Sequence, residues 1–112
     1  MAGAAVALLV VFVTWAMLVR VRIHEWNMLA ASPDGSYLVH EAIGDNAIGE
    51  YWSIWLKRHG DSGFGTRITD WAWKPIGIVW IADSELWVWG ESRRSGWTLM
   101  GSCYGVTIRR GR

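Results

Sequence analysis

The chain has 112 residues, enough for one small domain and too few for two. Its 11 basic and 10 acidic side chains leave a net charge of +1, which excludes the clustered positive surface that nucleic acid requires. An apolar fraction of 52% with ten Trp excludes a disordered chain, and a lone Cys103 excludes a disulfide framework and a multi-cysteine metal site.

From Met1 to Val19 there is no charge, and the only hydroxyl is that of Thr14. A helix over this run would reach about 28 Å, close to the hydrocarbon thickness of a bilayer. The run is therefore expected to be a transmembrane helix rather than a core helix. Trp15 near its end, with Arg20 and Arg22 just beyond, suits the membrane interface. No basic side chain precedes the run, and the nearest small-residue pattern is the distant Leu29-Ala30-Ala31, so the expectation is an uncleaved single-pass anchor. By the positive-inside rule, Arg20 and Arg22 would hold the rest of the chain on the cytoplasmic side.

All 21 charged residues fall between Arg20 and Arg112. The reading divides the chain into an anchor over 1–19, a juxtamembrane linker over 20–31 and a Trp-rich β domain over 32–110. Ser32-Pro33-Asp34-Gly35 is a turn, because Pro presets φ at the second position and Gly accepts a positive φ. Tyr37–Ala42 follows as a strand, and Gly44–Gly49 as a loop. Glu50–Arg58, EYWSIWLKR, is rich in aromatic and branched residues and reads as a second strand. His59–Gly65 carries three glycines and connects to a third strand over Thr66–Trp73, ended by Lys74-Pro75.

The clearest local unit is a hairpin, Ile76–Ile81 and Leu86–Trp89 about a turn at Ala82–Glu85. A charged loop with Arg93-Arg94 leads to a last strand, or pair of strands, over Trp97–Arg110, broken by Gly101 and Gly105. No segment after the anchor keeps a 3.6-residue period. The fold class expected is one N-terminal transmembrane α-helix followed by a small, mainly antiparallel β domain, a sandwich or open barrel of five to seven strands.

The hairpin is apolar on both faces. Ile78 and Trp80 point one way and Val79 and Ile81 the other; Leu86 and Val88 oppose Trp87 and Trp89. Either the hairpin is central in a sandwich or barrel, or one face docks on a partner chain, a second protomer or lipid.

The chemistry-bearing residues do not assemble into a catalytic set. His24, His40 and His59 lack the spacing of a metal motif, and His24-Glu25 and His40-Glu41 belong to no HExxH helix. Cys103, in Gly-Ser-Cys-Tyr-Gly, has no histidine nearby in sequence and reads as an inert thiol. The aspartates mostly sit at turns, where they cap backbone amides. The chain is expected to be no enzyme and to need no metal or cofactor. Among Trp52, Trp55, Trp71, Trp73, Trp80, Trp87, Trp89 and Trp97, the set Trp71, Trp73, Trp80, Trp87 and Trp89 is the expected interaction surface. Arg93-Arg94 and Arg109-Arg110 with Arg112 would suit anionic headgroups if they faced the membrane.

The stretch Ser32-Pro33-Asp34-Gly35-Ser36-Tyr37-Leu38-Val39 resembles the strand opening of bacterial β-propeller blades, but a propeller needs at least four blades and this is one copy. With the later Val79-Trp80-Ile81-Ala82-Asp83-Ser84-Glu85-Leu86, residues 32–90 resemble small bacterial membrane-anchored or lipoprotein domains of unassigned function. That resemblance implies a compact antiparallel β domain at the bacterial cell membrane, on the extracytoplasmic side. The expected function is a non-enzymatic, membrane-tethered β domain making protein–protein contacts as an accessory subunit of a larger membrane complex. Its expected partners are the lipid bilayer and other membrane-protein subunits or a second copy, with no nucleic acid. The alternative is an envelope module that binds glycan or peptide through exposed tryptophans.

Overall fold

The computed structural model describes residues 2–90 and 99–111. One N-terminal helix, α1 (Ala2–Val19), is followed by a small, mainly antiparallel β domain of two sheets. Ala, Val and Leu dominate α1, and Arg20 ends it. Every residue from Gly3 to Leu18 is exposed. Its apolar side chains surround the axis instead of forming one stripe, so no single face is marked for a core. The helix falls short of the span expected for 1–19. It covers 18 residues, about 27 Å, and among the described residues no helix is long and apolar enough to cross a membrane.

The last turn of α1 is tied to the β domain. The Ala47 N–H donates to the Leu18 carbonyl at 3.0 Å, and Asn46 Nδ2 donates to the Val19 carbonyl at 2.8 Å. These are carbonyls that a helix end leaves without intrahelical partners, so a distant turn supplies the C-cap. Just beyond, Val21 and the Arg22 carbonyl press on Gly44, where a Cβ would lie 2.6 Å and 2.7 Å from them. The molecule is correspondingly elongated, 61 Å along its longest axis.

The first sheet is an antiparallel meander of β1 (Arg22–Ala31), β2 (Tyr37–Asp45), β3 (Glu50–Arg58) and β4 (Thr66–Arg67) in chain order. The turn between β1 and β2 is the Ser-Pro-Asp-Gly unit. Asp34 accepts from the Ser36 N–H and from both the Ser32 and Ser36 hydroxyls, and Gly35 takes φ +78°. Those three donors, the Ser36 amide foremost, hold the Asp34 carboxyl below its ordinary pKa.

The second sheet has the order β5 (Gly77–Ala82), β6 (Glu85–Trp89), β8 (Val106–Arg110), β7 (Ser102–Cys103). The β5–β6 and β7–β8 pairs are antiparallel, whereas β6 and β8 run parallel. The two sheets enclose one core. Val39, Ile54 and Leu56 of the first meet Leu86, Val88, Val106 and Ile108 of the second, with Ile68, Ala72 and Ile76 between them. A polar clamp crosses from sheet to sheet at Tyr104, which takes φ +54° in the β7–β8 turn. Its carbonyl accepts from the Tyr37 hydroxyl at 2.8 Å, its own hydroxyl lies 2.8 Å from Thr66 Oγ1, and the Arg58 guanidinium stands over its ring.

Three expectations are corrected. The stretch read as a linker over 20–31 is strand β1 from Arg22, an edge strand whose side chains are mostly exposed. The third strand read over Thr66–Trp73 shrinks to Thr66–Arg67. The chain then makes only isolated bridges, Thr69 to Leu99 and Ala72 to Trp52, as it crosses the core. The described residues form eight strands rather than five to seven, two of them only two residues long. Trp97, Arg93-Arg94 and Arg112 lie outside the described residues.

Candidate interaction faces

Strand alternation splits the β5–β6 hairpin as the sequence implied. Leu86 and Val88 are fully buried and Ile78 and Trp80 pack against the core. On the outer side Val79 is 37% exposed and Ile81 51%, beside the half-buried Trp87 and Trp89. Register places Val79 beside Trp87 and Trp87 beside Arg109, so one row crosses three strands. Glu85 organises it. One carboxylate oxygen accepts from Trp87 Nε1 at 3.1 Å, the other from Arg109 Nε at 3.1 Å. Trp89 lies against the backbone of Gly111, where no side chain would fit. Trp87, Trp89, Arg109 and Arg110 line an open depression of about 470 Å³.

The five tryptophans of the expected surface do not form one platform. Trp87 and Trp89 share the outer face of the second sheet. Trp80 faces inward, stacked on Tyr37 with ring centroids 6.3 Å apart, and its buried indole N–H finds no acceptor among the described residues. It is a core residue, corrected by the alternation that sends Val79 outward. Trp71 is half-buried with the Arg67 guanidinium 5.6 Å over its ring. Trp73 is 54% exposed, 4.9 Å from Tyr51 and against Gly49. Trp15, Arg20 and Arg22 are all exposed around the C-terminal end of α1.

The outer face of the first sheet holds an aromatic cluster that the sequence reading passed over. Trp26 stacks on His40 at 5.2 Å and meets Trp55 and Phe64 edge-on at 5.4 Å and 4.8 Å. Trp26, His40 and Trp55 are brought together by register, Trp26 beside Ala42 and His40 beside Trp55, while Phe64 folds over from the loop after β3. The indole N–H of Trp55 donates to Ser53. Burial, with a smaller push from Lys57, keeps the His40 pKa below its ordinary value, and its buried Nδ1 has no partner among the described residues. The sequence signal for it is the period-2 alternation of Trp26 and Met28 with Glu25 and Asn27, short enough to read as part of a linker.

No known protein family, curated protein or solved structure matches the chain. The likeness of residues 32–90 to small envelope domains stands on its motifs alone.

The remaining reactive groups are dispersed. Burial pushes the Cys103 thiol up, against the opposing pull of a hydrogen bond from Thr66 and the charge of Arg58, so little thiolate forms near neutrality. His24 sits 3.5 Å from Glu50, His59 Nδ1 is 3.1 Å from the Gly35 carbonyl, and His40 belongs to the aromatic cluster. Among the described residues no three His, Cys, Asp or Glu side chains gather to hold a metal ion.

Proposed function

We propose that the protein is a membrane-tethered β domain without enzymatic activity that binds another membrane-protein subunit, or a second copy of itself, through the outer face of its second sheet. The observation that carries this reading is the exposed Val79 and Ile81 beside the half-buried Trp87 over a fully formed core. Apolar side chains of this size gain roughly 1.5–3 kcal/mol each when fully buried. Trp and Arg at the centre of such a patch are the residue types that dominate binding energy, and Glu85 preorders both Trp87 and Arg109.

The tether is α1. A helix apolar on every side and exposed from Gly3 to Leu18 does not suit water, nor the plane of the interface, which selects amphipathic helices. Its length is about 3 Å less than a typical hydrocarbon layer. Local thinning and snorkelling of Arg20 and Arg22 offset such a shortfall for fractions of a kcal/mol per ångström. The resemblance to envelope domains supports an extracytoplasmic β domain.

Sedimentation of the full chain, purified with its partners in mild detergent, tests the contact. The wild type runs as a complex with a second polypeptide or a second copy, and the double variant Val79→Glu, Ile81→Glu runs as a monomer. A wild-type chain that is already a monodisperse monomer contradicts the reading.

A further inference from the structure

The joint between α1 and the β domain carries a second surface, distinct from the outer face of the second sheet. Because Ala47 and Asn46 bond directly to the last carbonyls of α1, the turn between β2 and β3 is fixed at the level where the helix ends. The same Asn46 side chain builds that turn, its Oδ1 accepting from the N–H groups of Ile48 at 2.8 Å and Gly49 at 3.1 Å. Ile48 is thereby held at a rigid tip, 60% exposed. Gly49 in turn supports Trp73, which is 54% exposed and braced by Tyr51. Arg20 and Arg22 follow the end of α1 at the same joint, both exposed.

An exposed isoleucine on the turn that caps α1 and an exposed indole braced on that turn, with Arg20, Arg22 and the acidic Asp45 gathered where the helix ends, match the boundary between acyl chains and headgroups. The indole has an apolar body and one polar N–H, and arginine pairs with lipid phosphate. We propose that Ile48 and Trp73 form a wedge that seats the β domain directly on the phospholipid interface, so that the domain is docked to the bilayer rather than swinging from its anchor. This rests on the reading of α1 as membrane-inserted. A docked domain presents the Val79–Ile81 face in one fixed attitude to a neighbour in the same membrane, and so limits the rotational freedom lost on binding.

The test uses the full chain with Cys103→Ser, reconstituted in vesicles of phosphatidylcholine with a minority of phosphatidylglycerol, and an environment-sensitive dye placed at one position at a time. Ile48→Cys and Trp73→Cys report the wedge independently. Ser62→Cys, in the loop beyond the far end of β3, is the water-exposed control, since a nine-residue strand separates the two ends by about 30 Å. Leu9→Cys reports α1. Nitroxide lipids quench at shallow or deep positions. The expected result is severalfold stronger shallow quenching at 48 and 73 than at 62, with deep quenching at 9. Deep quenching at 9 with positions 48 and 73 behaving like 62 overturns the wedge and leaves the anchor intact. A water-exposed dye at 9 overturns the anchor, and the wedge with it.

Discussion

The outer faces of the two sheets are built from similar residues and end differently. On the first sheet, Trp26, His40, Trp55 and Phe64 pack ring against ring, with Phe64 reaching Trp26 from the following loop, while Phe64 and Met28 stay 63% and 59% exposed. On the second, Trp87 and Trp89 are steadied by Glu85 and by the backbone of Gly111, while Val79 and Ile81 beside them stay exposed. Tryptophan content alone therefore does not mark a binding surface. What distinguishes the faces is how their indoles are held: among the described residues, Trp26 and Trp55 pack on other rings, whereas Trp87 and Trp89 rest on the Glu85 carboxylate and the backbone of Gly111.

Changes beneath and upon these faces sharpen the contrast. Leu86→Ala removes a fully buried side chain from the core that the sheets share. It is expected to cost about 2–5 kcal/mol in urea unfolding and to loosen both faces in one transition. Trp26→Ala strips three ring partners from the first sheet and is expected to cost about 2 kcal/mol, less than a fully buried Trp because its site is half-open. Trp87→Ala, removing the same side chain from the second sheet, is expected to cost under about 1 kcal/mol of stability yet weaken partner binding by about tenfold or more. Equal stability losses in the two tryptophan variants would erase the distinction.

Titration gives smaller effects. The folded pKa of His40 is depressed, chiefly by burial, so the folded state binds its proton less readily than the unfolded chain does. Its contribution is present above the unfolded value of about 6.5 and is lost as pH falls through the folded pKa. Melting curves taken from neutral pH downward should show that loss, and His40→Phe, which keeps a ring against Trp26, should flatten it. Glu41 has the opposite sign. Burial first, then the charge of Glu25, raises its folded pKa against the pull of an Asn27 hydrogen bond. Stability from this group is present below its unfolded pKa and lost as pH rises through the folded one. Glu41→Gln is thus expected to raise the melting temperature slightly at neutral pH and to leave it unchanged in acid.

Much of the fold was legible where local chemistry decides it. Glu50–Arg58 forms β3 with the bounds read from the sequence, because nine residues without a breaker alternate against a two-sheet core. The Ser-Pro-Asp-Gly turn and the hairpin about Asp83-Ser84 follow from turn chemistry. Strand β1 is legible only in the alternation of Trp26 and Met28 with Glu25 and Asn27; as an edge strand facing solvent it otherwise carries surface composition. Ile68 and Thr69 read as strand residues because they are buried, yet they belong to a crossing segment, where Thr69 Oγ1 accepts the Ile54 N–H. The parallel pairing of β8 on β6 depends on long-range placement that no local pattern encodes. Of the candidate surface, the outward Trp87 and Trp89 followed from alternation. The inward Trp80 was grouped with them by residue type, and period 2 separates it.

Under the proposed function, the second sheet, and not the first, meets a protein neighbour in the membrane. A photoactivatable cross-linker at position 81 in one version of the chain, and at position 28 on the outer face of the first sheet in another, tests it in native membranes. Adducts to a polypeptide are expected from position 81 and none from position 28. Equal yields, or adducts from position 28 alone, would contradict the claim.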